Sequence, residues 1–501
     1  MQTLSYPDSA GKRMDFAFLA ILTLLSLFIY YPVFYTDYLY TDEATQVWLT
    51  DKDVNLTSVI QGRYITYIIF KTIFGFIHST AGVRHARIIS LAGWVLCLPI
   101  WYFMLKRLLA KNGLPVIIAG LCCGYLICMP PFIISIGWAA CLEMFVACTA
   151  GLVAGFAWHV GMEFVERNRA RTAIWIMGSV VAAMISLFTY QNGFGCFFIA
   201  PFIQLIGRKR LTKEFCRSIL WALFLYIIYY CLFKLSLYEM SMTASARTQL
   251  AQNPLQKIIF LFTKPLAASF HFTFLLPEKS VAGIIVYLSA ALLLVFGMLY
   301  RLRRQSNMKN LGYMCGIIVV FISAYIPSLI ANENYPSNRT LLALNLLVFL
   351  LLSATIFDYI KSEGVRYSFT VVLMTIFTIN AWYNFRYEFV FPLSREYSIV
   401  KKEVLHQFRS ATDSILYVRP AEASFENKYG IIRSWDEFGV PSTAKIWVPD
   451  PLLRQIIFEA TGNKERAVRL VIESFESEKA LFESGKQKSE RTILISVASA
   501  E

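Results

Sequence analysis

Charge is scarce in this chain. Lys, Arg, Asp and Glu make up 16 % of its 501 residues, where a soluble globular chain carries about a quarter, so a purely water-soluble fold is excluded. Histidine is scarcer still: five residues, scattered without metal-ligand spacing, so no metal site is assigned. No cofactor motif is present either, and a need for a divalent metal stays open. The ten cysteines all fall in or beside apolar runs, and none lies beyond Cys315. That distribution reads as buried free thiols and excludes a disulfide framework. Internal repeats and low-complexity tracts are missing. So is a small-residue cleavage site after the first apolar run, 16–35, which is therefore expected to persist as a span.

What the chain has in quantity is hydrophobicity, 57 % of residues. Uncharged runs of about 18 or more residues recur, and they define an α-helical polytopic membrane protein. The expected spans are 16–35, 88–105, 114–132, 138–160, 172–190, 194–207, 215–235, 281–300, 311–331, 340–357 and 367–386, about eleven in all. The formal charge of +14 sits largely in short clusters between these runs, such as Lys106-Arg107, Arg208-Lys209-Arg210 and Arg301/Arg303/Arg304. Such clusters are a topology signal, so the implied partner is the lipid bilayer and not nucleic acid. They put the N-terminus in the cytoplasm and the C-terminus outside.

Two apolar segments, 64–79 and 258–274, carry Lys71 and Lys264-Pro265 in their interiors and are expected to lie in the membrane interface. Past 386 the composition turns charged. The chain thus divides into a transmembrane domain, 1–386, with a first outer loop at 36–87, and a small α/β extracytoplasmic domain, 387–501. In the latter, strands are expected at 414–418, 444–448 and 492–497, and helices at 396–408, 451–460 and 464–484.

The outward polar residues crowd into few places. Asp42-Glu43 follows the first span, and Arg63, Arg84 and Arg87 share its loop. Tyr190-Gln191 forms a later outer turn, and Arg339 precedes a late span. A carboxylate at headgroup height can deprotonate a hydroxyl within hydrogen-bond reach, and arginine forks suit a phosphate leaving group. Each residue also has a plain reading: Asp42-Glu43 as a helix cap, Arg84, Arg87 and Arg339 as headgroup anchors. Glu143 lies inside the fourth run, where an uncompensated carboxylate costs at least 2–3 kcal/mol. It must face a partner or a cavity, in a structural or a catalytic role.

Taken in order, Asp42-Glu43, Gly62-Arg63, Leu187-Phe188-Thr189-Tyr190-Gln191 and Arg339-Thr340-Leu341-Leu342 resemble the GT-C class of membrane glycosyltransferases. Within that class the chain is most similar to the type II glucosyltransferases that modify bacterial O-antigen and related surface glycans. The resemblance implies a GT-C-like fold in the bacterial inner membrane, a polyprenyl-phosphate-linked sugar donor and a glycan acceptor. It also implies transfer at the outer face with Asp42 or Glu43 as the base. Many relatives show Asp-Asp where this chain has Asp-Glu, which leaves the choice between the two open. An O-antigen polymerase or ligase, and a lipid-linked sugar flippase, are the alternatives.

Overall fold

A backbone in hydrocarbon has no water to bond, so an apolar stretch long enough to cross must close its hydrogen bonds within a helix. The computed structural model describes residues 9–49, 56–271, 281–302, 307–334, 337–431 and 437–496. Among these, seven helices are long and apolar enough to span: Arg13–Phe34, Val83–Lys111, Ala139–Phe164, Arg169–Thr189, Lys213–Glu239, Asn338–Tyr359 and Glu363–Gln407. An eighth is a broken pair, Ile117–Cys128 and Pro130–Gly137, bent by 47°. The break falls at Pro130-Pro131, where two residues lack the N–H that would continue the ladder. Helices Val281–Leu302 and Asn307–Ala324 occupy two further expected spans.

The chain is thus a helical, multi-pass membrane protein, but the expected span at 194–207 takes another form. Gln191–Phe198 winds as a tight 3-10 coil and Ile199–Arg208 adds only ten helical residues. Both are packed inside the protein. Glycine makes this possible: a Cβ on Gly151 or Gly155 would overlap the carbonyls of Gly193 and Phe197 on the coil. Small residues at such a crossing let two backbones approach within the membrane.

Asn338–Tyr359 is buried along nearly its whole length and forms the axis of the bundle. One end of the bundle is tied by charge pairs, Lys106–Asp15 and Lys209–Asp358 at 2.6 and 2.7 Å and Lys111–Glu163. The opposite end carries the first loop and the C-terminal region. The expected interfacial segments are helices Tyr64–Phe74, Pro254–Thr263 and Pro265–His271, with 272–274 outside the described residues.

No break marks the compositional change at 387. The last span runs on as one rod, through a π-helical turn at Asn384–Val390, into Phe391–Gln407. Beyond it, strands β1 (Ser414–Val418), β2 (Val471–Phe475) and β3 (Thr492–Ser496) form a parallel sheet in the order β2-β1-β3. Two expectations fail here. Residues 444–448 form a turn leading into helix Pro449–Thr461, whose Pro449 and Pro451 suit a first helical turn. The expected helix 464–484 contains β2, because the β-branched pair Val471-Ile472 joins the sheet beside β1; tertiary pairing overrides local helix propensity there.

Candidate functional site

The first loop is built around Glu43. Helix Asp42–Trp48 places this side chain inside the protein at 0 % exposure. There it accepts from the Tyr40 N–H at 2.7 Å, the Ala139 N–H at 2.5 Å and Arg87 Nη2 at 2.5 Å. Arg87 Nη2 also donates to the Tyr38 carbonyl at 3.0 Å, and the guanidinium lies 3.5 Å over the Tyr38 ring. Burial pushes the Glu43 carboxyl above the usual range, against the pull of Arg87 and the two backbone donors. A carboxylate so enclosed is architecture.

Its neighbour differs. Asp42 is exposed and accepts a hydrogen bond from the Trp447 indole N–H at 3.1 Å. The residue before it, Thr41, holds φ 43° and ψ −109°, a conformation that a β-branched residue seldom adopts. Such strain costs on the order of 1–3 kcal/mol and persists only where neighbours impose it. The neighbour is Ser442, whose Oγ accepts the Thr41 N–H at 2.7 Å. Ser442 in turn donates its own N–H to Glu396 at 2.9 Å. The rod, the C-terminal region and the first loop are therefore coupled at this point.

A second cluster forms where Ala139, the residue that caps Glu43, meets the later spans. Arg63 lies 4.6 Å over the Tyr190 ring and donates from Nε to Gln191 at 3.2 Å. Gln191 is itself fixed, donating to the Gln61 carbonyl and to Tyr229 Oη, each at 2.7 Å. Gly62, at φ +76°, makes the turn that brings Arg63 there; its carbonyl accepts from Tyr229 Oη at 3.2 Å. Arg339 lies 4.8 Å over the Trp138 ring, with Nε on Ser337 Oγ at 3.1 Å. The charges of both arginines act on Glu143 and on Tyr190, so five expected residues (Arg63, Glu143, Tyr190, Gln191 and Arg339) come together. Burial raises the Tyr190 phenol, with both arginines opposing, so it remains a donor.

Neither Arg63 nor Arg339 makes a direct ion pair among the described residues; aromatic faces hold them instead. Two buried polar atoms beside them, Glu143 Oε2 and Trp138 Nε1, have no hydrogen-bond partner. The second carboxylate of the cluster, Glu437, is occupied by Ser337 Oγ and by Asn338 N and Nδ2, the latter two at 3.3 and 3.2 Å. Two guanidinium groups seated on aromatic faces and the spare Trp138 N–H make a place that can take an anion, with the Glu143 carboxylate opposing it.

The remaining expected residues lie elsewhere. Arg87 is committed to Glu43, and Arg84 pairs with Asp37 at 3.1 Å. Neither joins the arginine cluster. Sequence reasoning missed Trp138, Thr41, Glu437, Ser442 and Trp447. Only Trp138 carried a signal, as a large aromatic five residues before an intramembrane carboxylate. No group of three or more His, Cys, Asp or Glu that could hold a metal occurs among the described residues. No protein-family model matches this chain, and no curated protein matches it.

Proposed function

We propose that this chain is a glycosyltransferase of GT-C type in a bacterial inner membrane, moving a hexose from a polyprenyl-phosphate donor to a surface-glycan acceptor. In this reading the Asp42 end of the bundle faces outward. Asp42, exposed and adjoining the cluster, is the base. The acceptor oxygen forms its bond to the anomeric carbon as the bond from that carbon to the phosphate oxygen breaks. The proton passes to Asp42 and polyprenyl phosphate leaves. Arg63 and Arg339 take the phosphate charge as it develops. Gln191 and the Tyr190 ring fix Arg63, and Glu143 sets the charge balance between the two cations. Glu43 and Arg87 hold the loop.

One observation carries this reading: Arg63, Glu143, Tyr190, Gln191 and Arg339, far apart in sequence, converge beside the loop that presents Asp42. The test is transfer by the purified full chain from a synthetic polyprenyl-phosphate hexose to the host's surface polysaccharide, read by mass spectrometry. A glycan heavier by one hexose per repeat is expected. Unchanged glycan in vitro, with altered chain length in cells lacking the protein, points instead to a polymerase.

A further inference from the structure

We infer that Trp447, in the C-terminal region, is the platform on which the acceptor sugar rests. This rests on the reading of Asp42 as the base. The indole N–H donates to Asp42 Oδ1 at 3.1 Å, yet the side chain is 49 % exposed, and Ile446 beside it is 64 % exposed. A base acts only on a hydroxyl within hydrogen-bond reach, so the sugar ring bearing that hydroxyl lies against whatever flanks Asp42. Trp447 flanks it, presenting a broad apolar face whose polar edge is already spent on the carboxylate. The apolar C–H face of a hexose is complementary to such a surface, and covering it removes both faces from water.

The placement of Trp447 is enforced. Helix Phe391–Gln407 holds the preceding turn through Glu396, which accepts the Thr443 N–H at 2.8 Å and the Thr443 hydroxyl at 2.5 Å. Lys445 pairs with Glu422 at 3.0 Å, and helix Pro449–Thr461 starts directly after Trp447. The exposed indole is thus presented on a fixed turn, and the C-terminal region contributes to acceptor selection.

The experiment compares wild type, Trp447→Phe and Trp447→Ala as purified full chains. The donor is synthetic polyprenyl-phosphate hexose, and the acceptors are oligosaccharides released from the host polysaccharide. The alanine variant is expected to raise the acceptor KM on the order of tenfold with the donor KM unchanged. The phenylalanine variant, which keeps a ring but loses the N–H, is expected to restore the acceptor KM while kcat stays below wild type. An acceptor KM unchanged in Trp447→Ala overturns the inference, as does a donor KM that rises in step with it. Absence of transfer by the wild type overturns the glycosyltransferase reading itself, which separates the two failures.

Discussion

Glu43 and Glu143 are both buried carboxylates answered by arginine, and they are held in opposite ways. Glu43 is met by two backbone N–H groups and by Arg87 at 2.5 Å. Glu143, 3 % exposed, keeps an oxygen without a partner while Arg63 and Arg339 act on it from their aromatic seats. A buried unsatisfied polar group costs about 1–3 kcal/mol. Both oxygens of Glu43 are answered and one oxygen of Glu143 is not, although Arg87 keeps its buried Nε and Nη1 without a partner, so the two acids themselves are held differently a short distance apart. The boundary of the interior falls between adjacent residues: Asp42 faces out while Glu43 faces in.

The comparison breaks first at the closed pair. Glu43→Ala or Arg87→Ala leaves one charge buried without its partner, which costs about 3–5 kcal/mol. Chemical denaturation of the detergent-purified protein is expected to show that loss, together with poor yield. Replacing both residues at once with apolar side chains is expected to cost less than the two single losses added, because neither charge is then stranded. The neighbouring Asp42→Asn is expected to leave stability within about 0.5 kcal/mol and to lower transfer by about 10²–10⁴-fold. Wild-type turnover in Asp42→Asn removes it from the role of base.

The helical membrane class was legible because hydrocarbon imposes its rule residue by residue: long uncharged runs became helices. The form of the segment expected as a span at 194–207, a 3-10 coil and a short helix instead of one long helix, was not legible, because hydropathy cannot distinguish a segment facing lipid from one buried among other helices. That outcome depended on glycines of a different run, Gly151 and Gly155. The order Asp42, Arg63, Tyr190, Arg339 marked one end of the bundle, but sequence could not say which of Arg63, Arg84 and Arg87 joins the Tyr190 cluster. That choice rests on Gly62 making a left-handed turn and on Arg87 reaching an acid 44 residues upstream. Trp447 was beyond reach, since it meets Asp42 across 405 residues.

The open site gives a milder test. Glu143→Gln keeps the shape and removes a charge whose Oε2 has no donor to lose, so the expected stability change is within about 1 kcal/mol of wild type. In the proposed reaction it also frees two cations from a competing negative charge, and the donor KM is expected to fall. Steady-state kinetics with denaturation curves check both. A loss as large as that in Glu43→Ala makes Glu143 a second structural carboxylate and ends the contrast.

The smallest expected effect belongs to Arg84, one helical turn before Arg87 on the helix Val83–Lys111. The two arginines share a helix and an end of the bundle, and each pairs with an acid of the first loop. Arg84 and Asp37, though, are 31 % and 43 % exposed, against 0 % for both members of the inner pair. Water already solvates the outer pair, and salt screens what attraction remains. Arg84→Ala is therefore expected to cost about 0–1 kcal/mol, and the cost is expected to shrink as the salt concentration is raised. Arg87→Ala is expected to keep its full cost at any salt, because ions do not enter its site. Burial then separates two arginine–carboxylate pairs whose arginines lie three residues apart. A salt-insensitive loss above about 2 kcal/mol in Arg84→Ala contradicts that account.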